Sequence, residues 1–253
     1  EGYYLDDGSI TEAQPFNCQN VFAYDLIPAS ELESASDASG LRRWSFEPAG
    51  VRRLHPRAGF EEGAFGKGAS LDAALEAVEE LSWRSLSIDL GGQLLEARHA
   101  GPVRRLVAHP DDRGTPVLAL RVPDGSLATS GDSERGVFVD GEARSHVLDP
   151  RSASPAPRRG SATVWARTAL AADCLSTACY VLGPDAALAF AEAHEGVELV
   201  WLQDGPRGLV ARCSSGLAIH CEALLSSAAP EIHVSSRRDT SPLPPKSEPI
   251  ASH

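Results

Sequence analysis

The feature that most restricts the fold of this chain is a strand hairpin followed closely by an alanine-rich helix, both near residues 128–177. Strand-like residues flank Asp140 and Gly141, a pair that strongly favours a two-residue hairpin turn. Pro150 ends the returning strand because proline has no N–H to donate to a neighbouring strand. This succession of antiparallel strands and helices predicts an α+β fold, in which mostly antiparallel sheets are packed with helices.

The returning strand carries a histidine on one face. Strand side chains alternate, so His146 and Leu148 share one face, while Ser145, Val147 and Asp149 share the other. A histidine titrates near neutral pH and can accept a proton or bind a phosphate-bearing ligand. The alternative is a strand histidine satisfied by an ordinary hydrogen bond, and the residues alone leave both open.

The helix predicted over residues 168–183 carries two oxygen-bearing side chains on one face. Its alanines and leucines favour a helix, and Gly183 followed by Pro184 predicts where that helix ends. Asp173 and Thr177 are four residues apart and are therefore neighbours on the helix surface. A carboxylate and a hydroxyl are hard oxygen ligands that suit Mg²⁺ rather than zinc. The alternative is that Asp173 only caps or solvates the start of the helix.

A glycine-rich segment at residues 60–72 leads into another predicted helix over residues 70–81. Glycines let the backbone approach a ligand closely, and a helix N-terminus offers free N–H groups to a phosphate. Lys67 adds a positive charge to this segment. The segment is not a Walker loop, because Gly68 stands where that motif needs Ser or Thr. The alternative is an ordinary tight turn.

The charge balance argues against one class of partner. The chain of 253 residues has a net charge of −12 and a pI near 5.1, whereas nonspecific nucleic-acid binding depends on clustered Lys and Arg. An anionic substrate would therefore need a local positive feature or a metal ion. The cysteines form neither a C-x-x-C motif nor a zinc-site spacing, which leaves the redox compartment open. They are Cys18, Cys174, Cys179, Cys213 and Cys221.

Both ends of the chain are predicted to lie outside the main domain. We expect an irregular or truncated N-terminal segment at 1–27, a principal domain at 28–229, and a Ser/Pro-rich, disordered tail at 230–253. No apolar run approaches the roughly 20 residues of a transmembrane helix, and the N-terminus lacks a secretory pattern. The chain begins at Glu1 and contains no Met, so we expect a processed or trimmed start from which a signal peptide could have been removed.

Alternation and turn residues predict the remaining elements. They are a helix opening at 28–33, a hairpin over 41–54, strands at 85–90, 103–108, 117–122 and 162–166, a helix at 185–194, and a closing hairpin over 197–212 turning at Asp204 and Gly205. The sequence contains no internal repeat.

Four motifs follow one another along the chain. They are Gly66-Lys67-Gly68 followed by Asp72, Ala-Thr-Ser-Gly-Asp-Ser-Glu-Arg at 128–135, Ser-His-Val-Leu-Asp-Pro-Arg at 145–151, and Ala-Asp-Cys-Leu-Ser-Thr-Ala at 172–178 with Val-Leu-Gly at 181–183. In this order and spacing they resemble the FAD:protein FMN transferase family, formerly called thiamine-biosynthesis lipoproteins. The resemblance covers roughly residues 28–208 and implies a flavin transferase-like fold.

The resemblance implies a magnesium-dependent flavin transferase. Family members use FAD as substrate, transfer its FMN half onto a threonine of a partner flavoprotein, and release AMP. They are typically exported and often lipid-anchored. The resemblance therefore implies Mg²⁺ and FAD as cofactors, a threonine-bearing acceptor flavoprotein, and a membrane-associated location in the periplasm or on the outer face of the bacterial cytoplasmic membrane.

The same resemblance assigns site residues by position. Asp173 and Thr177 would hold the metal through their side chains, with backbone oxygens near Gly66 and Ser176 completing its shell, and Asp173 would thereby serve catalysis. His146 would accept the proton of the incoming threonine and contact the flavin substrate. The other FAD-binding residues would be Lys67, Gly68, Asp72, Ser130, Gly131, Asp132 and Asp149.

The sequence departs from the family pattern in three places. Ser152 and Ala153 replace the threonine and glycine of an Asp-Pro-Arg-Thr-Gly turn, Gln93 replaces an acidic residue after a Gly-Gly pair, and the region before residue 28 is expected to be shortened. Three functions therefore stay open. They are an active flavin transferase, a non-catalytic relative that binds flavin or assists assembly, and an FAD pyrophosphohydrolase in which water replaces the threonine.

Overall fold

The computed structural model describes residues 22–23, 28–132, 136–139, 142–218, 220–224 and 230–235. Its helices are α1 (Ala29–Ala38), α2 (Gly66–Ala77), α3 (Ala169–Leu182), α4 (Pro184–Ala193) and α5 (Ser215–Ala218), with a 3₁₀ turn at Leu41–Arg43. The strands are β1 (Phe22–Ala23), β2 (Trp44–Glu47), β3 (Gly50–Arg53), β4 (Leu86–Leu90), β5 (Gln93–Ala97), β6 (Val103–His109), β7 (Asp112–Val122), β8 (Gly125–Gly131), β9 (Gly136–Val139), β10 (Glu142–Asp149), β11 (Ser154–Pro157), β12 (Ser161–Ala166), β13 (Val197–Gly205), β14 (Gly208–Cys213), β15 (Cys221–Ala223) and β16 (Glu231–Val234).

The largest sheet has seven strands in the order β16-β14-β13-β12-β8-β5-β4. Adjacent strands within this sheet are antiparallel, except that β14 and β16 run parallel. Strand β13 is buried on both faces, with Val200 and Leu202 packed in one apolar cluster and Leu199 and Trp201 in another. Because strand side chains alternate, this strand needs a covering layer on each side of the sheet.

The two covering layers are a smaller sheet and a pair of helices. The three-stranded sheet β15-β7-β6 packs residues such as Leu118 and Leu120 against β13 and β14. On the opposite face, Tyr180 of α3 and Leu188 of α4 pack around Trp201. Full burial of a side chain such as leucine contributes about 1.5–3 kcal/mol, so the packing around Trp201 fixes α3 and α4 against the sheet.

The remaining strands form two small sheets. Strands β1, β9, β10 and β11 form one of them, in which β9 and β10 pair antiparallel and Val139 faces Glu142. Strand β10 lies against α3. Strands β2 and β3 form a separate hairpin. Among the residues that the structure describes, no helix is both long enough and apolar enough to cross a membrane.

The predicted α+β fold with mostly antiparallel sheets is confirmed. The helix predicted over 168–183 is present as α3, with Thr168 as its N-cap and Gly183 ending it at a φ of 84°. The hairpins predicted over 41–54 and around residues 140–141 are also present as β2–β3 and β9–β10, although residues 140–141 lie outside the described part of the chain.

Several predicted boundaries were wrong. The helix predicted over 70–81 is α2, which begins at Gly66, so the glycine-rich segment is its first turn. Strand β5 was not predicted, and the closing hairpin turns at residues 206–207, since Gly205 already pairs with Gly208. Residues 231–234, predicted to be disordered, form β16. Strand β1 pairs with β9 and strand β16 with β14, and the division of the chain into domains stays a prediction.

Candidate active site

The N-termini of α2 and α3 meet closely because Gly68 has no side chain. A Cβ at this position would lie 2.7 Å from the Cα of Leu170 and closer still to the carbonyl oxygen of Ala169. The backbone N–H of Gly68 donates to Oδ2 of Asp173 over 2.9 Å. Gly68 was predicted to contact FAD, and in this structure its N–H is committed to the carboxylate on the neighbouring helix.

A second aspartate makes the reciprocal contact. Oδ1 and Oδ2 of Asp72 in α2 accept the backbone N–H groups of Ala169 and Leu170, over 2.8 and 2.9 Å. The first N–H groups of a helix have no partner within the helix, and a carboxylate there also interacts favourably with the helix dipole. Each helix therefore supplies a carboxylate that accepts backbone N–H groups at the start of the other helix. The FAD contact expected of Asp72 stays a prediction beside this structural role.

Asp173 lies at the centre of this junction. Its side chain is 4% exposed, and Oδ1 is 3.6 Å from Nζ of Lys67. The alternative that Asp173 merely caps or solvates its helix does not hold, because Thr168 caps α3 and accepts the N–H of Ala171 over 3.2 Å. The stem of Lys67 runs beside Gly91, where a Cβ would lie 3.7 Å from Cδ of the lysine.

Three hydroxyl groups meet where the end of β8 lies against α3. Oγ of Ser130, near the end of β8, is 2.9 Å from Oγ of Ser176 and 3.1 Å from Oγ1 of Thr177. The Ser176 hydroxyl also donates to the carbonyl oxygen of Asp173 over 2.9 Å. The carbonyl oxygen of Gly66, in the first turn of α2, accepts the hydroxyl of Ser70 over 2.8 Å. The structure thus brings the end of β8 against the metal residues predicted on α3.

These donors fit Mg²⁺ that is shared with a substrate. One buried carboxylate and neighbouring hydroxyl and carbonyl oxygens form a hard donor set, and within the described ranges no three His, Cys, Asp or Glu side chains cluster as metal ligands. Mg²⁺ typically binds one or two carboxylates and takes its remaining ligands from waters and substrate phosphates. The donor chemistry therefore suits Mg²⁺ at a nucleotide and does not suit a structural zinc site.

The loop after β8 is anchored by a buried tyrosine. Oδ2 of Asp132 accepts a hydrogen bond from the Tyr180 hydroxyl, while Oδ1 has no partner among the described residues. Burial, followed by the neighbouring carboxylate, raises the pKa of Tyr180 well above its ordinary value. Gly131 lies tightly against β12, since a Cβ there would fall 2.9 Å from Cβ of Ser161. Contacts with α3 and β12 thus hold Gly131 and Asp132, which were predicted to line the FAD site.

The histidine strand has the predicted alternation. Ser145 is fully buried and His146 is exposed, on a strand that lies against α3. At the strand end, Arg151 binds Asp149 through Nε and Nη2, over 2.9 Å to Oδ1 and 2.6 Å to Oδ2. The hydrogen bonds from Arg151 lower the pKa of the Asp149 carboxyl, which is thereby held ionised beside the guanidinium.

The turn after this strand carries backbone strain. Ala153, which stands where the family pattern has a turn glycine, adopts a φ of 53°. Its N–H donates to the carbonyl oxygen of Asp149 over 2.8 Å. A residue with a Cβ is disfavoured in the left-handed region, so this turn keeps its shape at a cost that glycine would not incur.

The sequence did not indicate the structural role of two residues near the site. The amide nitrogen of Gln93, which is 1% exposed, donates to the carbonyl oxygen of Ala169 over 2.8 Å and so ties β5 to the start of α3. Tyr180 lies on the same helical face as Asp173 and Ser176, at spacings of seven and four residues. That spacing was a usable signal for Tyr180, whereas no local pattern placed Gln93 beside α3.

Comparisons with known proteins show which family the sequence resembles. A model of the ApbE family matches residues 14–201. The FAD:protein FMN transferase of Treponema pallidum is 31% identical over 168 residues, covering 61% of this chain and 46% of the relative. That of Vibrio cholerae is 27% identical over 177 residues, covering 68% of this chain and 53% of the relative.

Solved structures share the fold. The ApbE protein of Thermotoga maritima is 26% identical with a TM-score of 0.61, covering 70% of this chain and 60% of that one. The flavin transferase ApbE of Vibrio cholerae has a TM-score of 0.63 at 23% identity, covering 81% of this chain and 63% of that one, and shows the fold alone.

The fold and the paired helix starts define a flavin transferase-like α+β protein. This chain belongs to the ApbE family. It spans about half the length of the curated relatives that it matches.

Proposed function

We propose that this chain transfers the FMN half of FAD onto a threonine of an acceptor flavoprotein and releases AMP, with Mg²⁺ as the required ion. The observation that carries the proposal is the buried Asp173 carboxylate, held between the N-terminus of α2 and the Lys67 ammonium. Membership of the ApbE family and relatives named FAD:protein FMN transferase support the choice of reaction.

The residues of the chain first bind and orient the dinucleotide. In a chain with a net charge of −12, the Lys67 ammonium supplies a local positive charge for the anionic pyrophosphate. Its side chain is 44% exposed, so it can reach a ligand while its stem rests on the Gly91 turn. Ser130 and its neighbours form the wall of the same site, because hydrogen bonds tie Ser130 to α3.

Asp173 and Thr177 would hold a magnesium ion through their side chains, and the backbone oxygens of Gly66 and Ser176 would complete its protein ligands. When bound there, Mg²⁺ supplies Lewis-acid polarisation of the pyrophosphate and stabilises the charge that develops on the departing AMP. The N–H of Gly68 fixes the Asp173 carboxylate through Oδ2. The side chain therefore needs no reorientation when the ion arrives.

His146 accepts the proton of the threonine hydroxyl. It is exposed on β10, which lies against α3, and a large acceptor protein can therefore approach it. A neutral imidazole beside the hydroxyl activates a nucleophile that is otherwise weak at neutral pH. His146 thus acts on the attacking hydroxyl, whereas Asp173 acts on the leaving group through the ion that it would bind.

The test uses Asp173→Asn with Asp185→Asn as its matched control. Asp185 is also a helical aspartate, but it lies on α4 and is 89% exposed. With FAD, Mg²⁺ and a threonine-bearing acceptor, we expect the Asp173 variant to lose about 100-fold or more in AMP release, because the amide removes the carboxylate charge that would bind the ion, and even partners of metal ligands contribute roughly 10–100-fold. The Asp185 variant should stay within about twofold of the parent chain. Undiminished AMP release by Asp173→Asn would refute the metal assignment.

The same assay separates the other two functions. AMP release that is unchanged by omitting the acceptor indicates FAD pyrophosphohydrolysis, and FAD binding without AMP release indicates a non-catalytic subunit. The strained turn at Ala153 and the buried Gln93 are the observations that favour the non-catalytic alternative, since both replace residues of the family pattern. Flavin covalently bound to the acceptor is the result that supports transfer.

We also propose that the protein works in the periplasm or on the outer face of the bacterial cytoplasmic membrane, close to the acceptor. The family resemblance supports this location. Cell fractionation with an antibody against the chain tests it, and recovery of the protein with cytoplasmic markers would contradict it.

A further inference from the structure

Two cysteines face each other on the side of the seven-stranded sheet that lies away from α3. Cys213 ends β14, Cys221 begins β15, and their Sγ atoms are 3.3 Å apart. Cys213 is fully buried, and Cys221 is half-buried. Both lie in the apolar cluster between the seven-stranded sheet and the three-stranded sheet.

The two residues directly after Cys213 are held in place by neighbouring elements. Ser214 donates its N–H to the carbonyl oxygen of Leu199 over 2.9 Å. The N–H and hydroxyl of Ser215 donate to the Glu192 carboxylate, over 2.6 and 2.7 Å. Because the chain is fixed directly after Cys213, the two thiols remain close without help from a ligand.

We propose that Cys213 and Cys221 form a redox site, which a disulfide-bearing oxidant such as oxidised glutathione converts into an intramolecular disulfide. The bond joins the end of β14 in one sheet to the start of β15 in the other. It therefore links the two layers of the sandwich covalently at a place that the catalytic proposal does not use.

The chemistry begins at Cys221, the more accessible thiol. A hydrogen bond from the Cys213 thiol lowers the pKa of Cys221, whereas that contact and burial raise the pKa of Cys213. The Cys221 thiolate attacks one sulfur of the oxidant, forms a mixed disulfide and releases one thiol. Cys213 then attacks the Cys221 sulfur and releases the second thiol. The oxidant's disulfide is reduced to two thiols, and these take up the two protons and two electrons of the cysteine pair.

The other described cysteines do not compete for this bond in the folded chain. Cys179 is fully buried in the apolar cluster on the opposite face of the seven-stranded sheet, and burial raises its pKa to about 11. Cys174 is exposed on α3. Cys174 thus serves as a matched control, because it is an exposed cysteine that lies away from the pair.

Mass spectrometry of one tryptic peptide tests the proposal directly. Residues 213–237 lie between consecutive arginine cleavage sites and contain only these two cysteines. The full chain is equilibrated with glutathione buffers of increasing oxidation, blocked with N-ethylmaleimide and digested. We expect the doubly alkylated peptide to be replaced by an unalkylated peptide whose mass is two hydrogen atoms below that of the reduced, unalkylated peptide. Double alkylation of the folded chain in fully oxidised glutathione would overturn the proposal.

Single variants establish the order of attack. Cys213→Ser should trap glutathione on Cys221, whereas Cys221→Ser should leave Cys213 reduced and Cys174→Ser should form the bond as the parent does. Equal glutathione uptake by the two pair variants would overturn the assigned order. In the parent chain, oxidation should raise the Tm by roughly 5–10 °C, because the bond restricts the unfolded chain. A fall in Tm on oxidation would show that the bond does not fit the native fold, and so would overturn the proposal without relying on any variant.

Discussion

Replacing Gly68 by alanine tests how the two helix starts assemble the candidate site. The added Cβ would lie 2.7 Å from the Leu170 Cα, where ordinary contacts begin near 3.4 Å, and the obstacle is backbone that cannot rotate away. Overpacking of this kind costs about 1–3 kcal/mol, and a backbone obstacle places the cost near the upper value. Alanine regains about 1 kcal/mol of helix propensity. The net loss in free energy of unfolding should therefore be about 2 kcal/mol.

Thermal unfolding followed by near-UV circular dichroism measures this loss. For a chain of this size, about 2 kcal/mol corresponds to a fall in Tm of roughly 4–8 °C. FAD binding should weaken in parallel, because α2 must move away from α3 and carry Lys67 away from Asp173. Gly101→Ala is the control, since a Cβ there meets nothing within 4 Å. A Gly68→Ala chain as stable as the parent, or a control equally destabilised, would refute the close-packing argument.

Three further substitutions probe the surroundings of the site. Tyr180→Phe removes the hydroxyl that donates to the buried Asp132, and urea unfolding should show a loss of about 1–3 kcal/mol, with an unchanged midpoint counting against the anchor. Arg151→Ala should lower stability by less than about 1 kcal/mol near neutral pH. Arg151 depresses the pKa of Asp149 in the folded chain, so the ion pair stabilises the fold at pH values above the unfolded-state pKa of Asp149, about 3.9. This stabilisation is lost as the pH falls through the folded-state pKa, so the Tm values of the parent and the variant should converge in acid. Ala153→Gly should raise the free energy of unfolding by about 0.5–1 kcal/mol, because the strain removed from the left-handed backbone of the folded chain exceeds the entropy that glycine adds to the unfolded chain. A lower Tm would contradict this reasoning.

The elements with short-range signals were predictable from the sequence. Helix α3 has a capping Thr168 and a terminal Gly183 within its own stretch, and an Asp-Gly pair stands in the sequence between β9 and β10. The start of α2 was not predictable in this way, because two glycines in the first turn disfavour a helix by local propensity. Packing against α3 overrides that preference, since only glycine at position 68 lets the helices meet.

The sequence by itself determined the class of fold, the order of the motifs and the identity of Asp173, Thr177 and Lys67 as candidates, because turn chemistry, helix periodicity and motif spacing are local properties. Only the tertiary structure decided that Asp72 of α2 accepts backbone N–H groups at the start of α3, and that Asp173 of α3 accepts one at the start of α2. These hydrogen bonds join residues 97, 98 and 105 positions apart in the chain. It also decided that Cys213 and Cys221 meet between two sheets. Contacts of this kind depend on how separate elements pack, and no pattern within either element encodes them.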